Sequence, residues 1–340
     1  MPAVPLANVI RGNTVESIHA GHLSIVDGRG RLVTEIGEPE TVTYFRSACK
    51  AFQMIPCITS GAADAFDFNE KEIALSVASH SGEPVHLAIA ARMLAKIGID
   101  ASQLRCGAHL PFSSEESKRM IRSGEEPTQL HNNCSGKHIG MLAFAKHIDA
   151  DLATYELAVH RIQKRILRCV SDFSEVPQDD IAIGIDGCAA PNFALPVRAM
   201  ARSFANLISP AKFPEPTQHA CQRIVSSMIA HPELIGGSDR LDTMLMLAAR
   251  GRIISKVGAD GVWLCGVLPC EEWPSGLGIA LKVADGDDYR GRPVIAIEVL
   301  RQLGVLNSGD LAEHSPSPIK NRRGDNVGEV RPALSLPFVT

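Results

Sequence analysis

Residues 44–58 read Tyr44-Phe45-Arg46-Ser47-Ala48-Cys49-Lys50-Ala51-Phe52-Gln53-Met54-Ile55-Pro56-Cys57-Ile58. Most positions from Phe45 to Ile58 are apolar, and the run ends near Ser60-Gly61-Ala62. The pattern predicts a buried helix over Phe45–Ile58. Ser47 and Lys50 stand three apart, which puts them on one helical face. A lysine there can take the serine proton if burial or a nearby cation lowers its pKa. The apolar flanks supply burial, and Arg46 supplies a second positive charge. The competing reading is a helix-capping serine and a solvated lysine. Ser209–Lys212 and Ser317–Lys320 repeat the spacing. Both contain proline and lie in loop-like stretches, so the Ser47 copy is the one that heads an apolar helical run.

Working outward, His22–Asp27 and Arg31–Ile36 are short β-prone runs joined by Gly28-Arg29-Gly30, the pattern of a hairpin. Helices are predicted over Pro84–Ile97, which opens on proline, and over Lys137–His147, Leu152–Phe173, Cys221–Ile229 and Leu241–Leu247. Ile181–Ile185 reads as a short strand and Ser209–Pro216 as a loop. Arg252–Val257, Gly261–Leu268 and Gly278–Ala284 are successive strands, Arg292–Leu303 is a helix, and His314–Asn326 reads as a polar surface loop. The order is a hairpin, a helical middle, then antiparallel strands and a last helix. It predicts an α/β (α+β) chain in which the N- and C-terminal segments share one antiparallel sheet flanked by helices. The mostly helical middle region runs from about 45 to 250, and residues 1–340 read as a single domain.

The 340-residue chain is 45% apolar and 21% charged, with a net charge of −4. No clustered basic face is visible, which argues against nucleic acid as a partner. No run of about 18 apolar residues suggests a membrane span. The N-terminus lacks a basic region followed by an apolar one, so no secretory signal is expected. Nine cysteines, an odd number, are scattered through the chain. Reduced thiols in a cytoplasm are the expectation. Neither a Gly-x-Gly-x-x-Gly nor a phosphate-binding Gly-x4-Gly-Lys motif occurs.

Two further features extend the serine–lysine signal. Ser79-His80-Ser81-Gly82-Glu83 follows the apolar run Ile73–Val77 and offers a second hydroxyl at the end of an element. Lys256-Val257-Gly258 ends a predicted strand. Ser-x-x-Lys, a serine in a turn, then Lys-x-Gly on a strand is the order found in penicillin-recognising enzymes. The middle element departs from their Ser-Asp-Asn form, and Val257 replaces the usual hydroxyl residue. The order therefore argues for related architecture, not for β-lactam chemistry. The competing readings are a capping Ser79, surface histidines at His80 and His86, and an exposed strand lysine at Lys256. Separately, Asn133-Cys134-Ser135-Gly136-Lys137-His138 and Asp186-Gly187-Cys188 put thiols, an amine, an imidazole and a carboxylate on two loops. Thiolate and imidazole suit zinc, and Asp186 could orient a ligand. Two buried free cysteines near a loop remain the alternative.

Taken in order, these motifs, with Arg11-Gly12, Glu16–Gly21, Gly258-Ala259-Asp260-Gly261 and Val327-Gly328 with Arg331, resemble the Rhizobium etli-type L-asparaginases nearly end to end. The resemblance implies a serine β-lactamase/glutaminase-like fold, a homodimer, and hydrolysis of L-asparagine to L-aspartate and ammonia. It implies two serine–lysine tandems, Ser47 with Lys50 and Ser79 with Lys256. It implies zinc held by Cys134, Lys137 and Cys188, with His138 and Asp186 beside the site. Arg46, His80, Glu83 and Asp186 are the expected substrate-binding residues. A glutaminase, a β-lactam-type hydrolase and a non-catalytic zinc-dependent binding protein are the competing functions.

Overall fold

In the computed structural model, which describes residues 2–338, the chain opens with β1 (Val4–Arg11), β2 (Thr14–Asp27), β3 (Leu32–Ile36) and β4 (Val42–Tyr44). A 3-10 turn at Arg46–Cys49 runs into α1 (Lys50–Thr59). There follow α2 (Ala62–Ala65), α3 (Glu70–Ser76), α4 (Pro84–Ile97), α5 (Ser114–Ser123), α6 (Ser135–His147) and α7 (Arg161–Ser174). Next come β5 (Ala182–Ile185), β6 (Pro191–Pro196), α8 (Val197–Ile208), α9 (Glu215–Ala230), α10 (Pro232–Ile235) and α11 (Leu241–Ala248). The last part holds β7 (Ile253–Val257), β8 (Val262–Val267), β9 (Leu277–Val283), α12 (Gly291–Gln302), β10 (Ser317–Lys320) and β11 (Asn326–Pro332). The chain divides into two units.

The sheet unit takes the chain up to Ala48, Leu195–Ser209 and the part from Met244 onward. Its strands run β10-β11-β1-β2-β9-β8-β7, with β3 also on β2, and these pairings are antiparallel. First and last segments thus interleave in one sheet. The second half of β2, and nearly all of β7, β8 and β9, are buried at successive residues rather than alternate ones. Such strands are covered on both faces. Helix α8 packs on β2, β8 and β9, and α12 on β1, β11, β8 and β9. Gly278 permits the closest of these approaches: a Cβ there would sit 2.0 Å from the Ala201 carbonyl oxygen on α8.

The sequence reading of His314–Asn326 as a loop is corrected here, because it contains β10, paired with β11. Its residues alternate between half-buried and exposed, and Pro318 sits within it. A strand at a sheet edge can be polar and can hold proline, since one side needs no ladder hydrogen bonds.

The helical unit comprises Cys49–Ala194 and Pro210–Thr243. Helix α1 is its axis: every residue from Lys50 to Ile58 is buried, and α2, α6, α7 and α9 pack on it. Strands β5 and β6 pair antiparallel. The helix predicted from Leu152 begins only at Arg161. The carboxylate of Asp151 accepts the Ala153 N–H at 3.0 Å and the Thr154 hydroxyl, which closes a local turn and holds the segment out of the helix. His160 then caps α7 by accepting the Ile162 N–H. Among the described residues no helix is long and apolar enough to cross a membrane.

Candidate active site

Lys50 starts α1 and is 1% exposed. Its Nζ lies 2.9 Å from Ser79 Oγ and 3.4 Å from the Asn133 carbonyl oxygen, and it donates to the Ala78 carbonyl. Burial pulls this amine below its ordinary range; the Cys134 thiol opposes that and the Lys137 charge adds to it. Three acceptors, the two carbonyls and the Ser79 hydroxyl oxygen, surround the amine, and the Cys134 thiol also hydrogen-bonds it. Ser79 lies beyond the end of α3, whose C-cap is Val77, and its own N–H donates to the Ile235 carbonyl at 2.8 Å. The readings of Lys50 as a solvated lysine and of Ser79 as a helix cap are therefore set aside.

The loop before α6 and the turn after β5 bring the predicted thiol cluster together. Lys137 Nζ is 2.8 Å from Cys188 Sγ, and Cys188 hydrogen-bonds Cys134. All three side chains are buried. Gly136 allows α6 to start this close to α3: a Cβ there would lie 2.2 Å from the Leu75 carbonyl oxygen. The hydrogen bond from Cys188, against burial and with help from Lys50 and Lys137, holds the Cys134 thiol well below its ordinary range, and Cys188 is pushed up in turn. Burial works to lower Lys137, but the two thiols outweigh it and raise it. Among the described residues no group of three His, Cys, Asp or Glu side chains is placed to hold a metal. The donor set that does converge is two sulfurs and an amine, ligand types that suit zinc once each has lost its proton.

His138 sits beside this cluster with its ring fully buried. Tyr155 accepts the Arg105 N–H, and its hydroxyl hydrogen-bonds His138 Nδ1 at 2.7 Å. Burial, then the charges of Lys137 and Lys50, hold the imidazole well below its ordinary range. Its Nε2 has no hydrogen-bond partner among the described residues. Asp186 is half-buried and closes its own turn, accepting the Gly187 N–H at 3.0 Å.

His80 and His86 are fully buried and stack with ring centroids 5.1 Å apart, so neither is a surface histidine. His80 accepts the Gly82 N–H on Nδ1 and meets Ser135 Oγ through Nε2 at 2.9 Å. Through Ser135, the turn that carries Ser79 is tied to the start of α6. Glu83 is half-buried and accepts from the backbone and hydroxyl of Ser238. Sequence reasoning missed Ser135, Tyr155, Ser238 and the Ala78 and Asn133 carbonyls. Ser135 and Asn133 lie within a motif the sequence singles out, but nothing local marks the others as partners.

In the sheet unit, Ser47 is half-buried in the 3-10 turn. The Arg46 guanidinium pairs with the Asp260 carboxylate. Lys256 lies on β7, is 1% exposed, and donates to the Val257 carbonyl at 3.0 Å. It is not the exposed strand lysine of the competing reading.

A family model described as L-asparaginase II matches residues 7–332. No curated protein matches the chain. Among solved structures, the Bacillus subtilis glutaminase YbgJ in covalent complex with 5-oxo-L-norleucine is 13% identical with a TM-score of 0.40, over 84% of this chain and 88% of its own. A probable glutaminase from Bacillus subtilis complexed with 6-diazo-5-oxo-L-norleucine shares 13% identity and a TM-score of 0.40, covering 84% and 85%. A protein named Mglu, in its native form, is 17% identical with a TM-score of 0.37, covering 88% and 67%.

Proposed function

The chain belongs to the L-asparaginase II family, a family of amidohydrolases, and on that premise we propose that it hydrolyses L-asparagine to L-aspartate and ammonia through a serine–lysine acyl-enzyme. The observation that supports this reading is the buried, depressed Lys50 amine, 2.9 Å from the hydroxyl of Ser79, the serine of the second pair.

In the proposed sequence Ser47 Oγ attacks the side-chain amide carbon and its proton passes to neutral Lys50. Backbone N–H groups at the start of the helix stabilise the oxyanion. The carbon–nitrogen bond then breaks as Lys50 returns the proton to the leaving nitrogen, and ammonia departs. Water attacks the acyl ester and gives its proton to Lys50. That proton returns to Ser47 as aspartate is released. Ser79 and Lys256 are the second pair, with Ser79 keeping Lys50 poised to accept a proton. His80, Glu83 and Asp186 are proposed to bind the amino-acid end of the substrate.

The finer reading is a Rhizobium etli-type, zinc-binding, homodimeric, cytoplasmic enzyme. Cys134, Lys137 and Cys188 would hold the metal. Bound there, zinc would supply a fixed anchoring point at the pocket wall rather than an electrophile, since two thiolates balance its charge and leave it a poor Lewis acid. One experiment tests the whole reading: ammonia release from asparagine and glutamine by wild type and by Ser47→Ala, with zinc and mass determined on protein purified without added metal. Wild type should favour asparagine by roughly 10–200-fold, the range one methylene permits. It should run as a dimer with about one zinc per chain, and Ser47→Ala should be folded and inactive. Near-normal turnover by Ser47→Ala defeats the nucleophile; preference for glutamine defeats the substrate; a metal-free, active protein defeats the zinc.

A further inference from the structure

We propose that Asp260 and Asp288 are positioning residues for Ser47 and act on it through Arg46. The inference rests on the assignment of Ser47 as nucleophile and adds how that serine is aimed.

Arg46 has a φ of 52°, a left-handed backbone for a residue with a Cβ. Such a conformation costs about 1–3 kcal/mol and persists where the surroundings impose it. It falls on the residue directly before Ser47, so the dihedrals of Arg46 set the direction in which the Ser47 side chain leaves the backbone. Two features of the sheet unit impose it. Gly258, two residues past Lys256, lies against the Phe45 carbonyl, where a Cβ would stand 2.9 Å from the oxygen. The Arg46 guanidinium is clamped by Asp260 in the same turn that follows Lys256.

That turn is itself held. Asp288 accepts the Asp260 N–H at 3.2 Å and the Gly261 N–H at 2.9 Å. Asp260 has a left-handed φ of 57°, so its backbone too needs an external hold. Asp288 is paired with Arg292, which is buried and also donates to the carbonyls of Gly258 and Val262. Arg292, Asp288, Asp260 and Arg46 thus form one continuous chain of charge-assisted contacts. It starts at α12, fixes the turn after Lys256 and ends on the strained residue before Ser47. The terminal Arg46–Asp260 pair is partly exposed, with Asp260 65% exposed, so it adds little to stability. Its effect is on direction. A displacement of about 1 Å at a reacting atom costs on the order of 100-fold in rate.

The test measures kcat and KM for ammonia release from asparagine, with Tm, for wild type, Asp260→Asn, Asp288→Asn, Arg46→Asp and the swap Arg46→Asp/Asp260→Arg. Asp260→Asn should lower kcat by about 10–100-fold while KM stays within about twofold and Tm is unchanged. Asp288→Asn should act in the same direction, and the swap should recover part of the kcat lost by Arg46→Asp. Wild-type kcat in Asp260→Asn, a rise in KM alone, or a swap no better than Arg46→Asp overturns the proposal. Ser47→Ala is run beside them. An inactive Ser47→Ala with an unaffected Asp260→Asn removes this inference alone, whereas an active Ser47→Ala removes the assignment beneath it.

Discussion

The two units each bury a lysine, and they do it differently. In the helical unit, Lys50 is ringed by two carbonyls and the Ser79 hydroxyl, and burial depresses its pKa. In the sheet unit, the residues around Ser47 and the end of β7 are held by two ion pairs, Arg46–Asp260 near solvent and Arg292–Asp288 largely buried. The helical unit sets protonation by desolvation, an effect of low dielectric that salt hardly touches. On the proposal above, the Arg46–Asp260 pair of the sheet unit sets direction, and that partly exposed pair weighs little on stability.

The largest effect expected from this contrast is at Lys50. Lys50→Met should lower ammonia release by about 1000-fold, within the range for a lost general base. Lys50→Arg should not rescue it, since guanidinium does not give up its proton. Substantial activity in either variant would break the contrast, for it would mean that desolvation of this amine is not what the helical unit provides.

Next come the two close-packed glycines. Gly136→Ala would place a Cβ 2.2 Å from the Leu75 carbonyl oxygen, while at Gly258 the nearest atom is at 2.9 Å. Overpacking of this kind costs about 1–3 kcal/mol. Urea unfolding should place Gly136→Ala towards the upper end of that range and Gly258→Ala towards the lower. The Gly258 variant should lose kcat out of proportion to its stability, because the Phe45–Arg46 backbone must shift. Equal losses of stability, with kcat unmoved in both, would sink the idea that one unit's glycine serves the fold and the other's the serine.

The smallest effect expected is an acid limb in stability. Burial, first among the causes, holds His80 and His86 below the ordinary value of 6.5. Between their lowered values and 6.5, the unfolded chain binds more protons than the folded one. Stability therefore rises with pH across that window, is complete above 6.5, and is lost as pH falls below it. Urea midpoints at about pH 5 and about pH 7 check this, and His80→Gln should flatten the difference. A flat profile in wild type would show that the histidines take up protons in place.

Much of the local structure was legible. Pro84–Ile97 is a helix over the predicted residues, and Lys137–His147 differs by two residues at its start. The strands over Arg252–Ala284 lie within a residue or so of where β-branched runs and glycine turns put them. These are segments whose pattern repeats within one element. The N-terminal β1, the edge strand β10 and α8 were not recognised. Strand β10 is stabilised by a partner rather than by its own composition, and the start of α7 was set by one Asp151 turn.

The amino-acid sequence by itself supplied the candidate groups: a serine three residues ahead of a lysine that opens an apolar helix, a second serine, a second lysine, and two cysteines flanking an amine. Only the tertiary structure decided which of them meet. Spacing pairs Lys50 with Ser47, but only the fold brings Ser79, 29 residues on, to the same amine, and Lys137 to Cys188 across 51 residues. The reason is physical: helical spacing fixes neighbours within a turn or two, whereas partners across such gaps are chosen by how α1, α3 and α6 pack. The depressed pKa follows from the same packing, since desolvation belongs to the folded surroundings and to no residue alone.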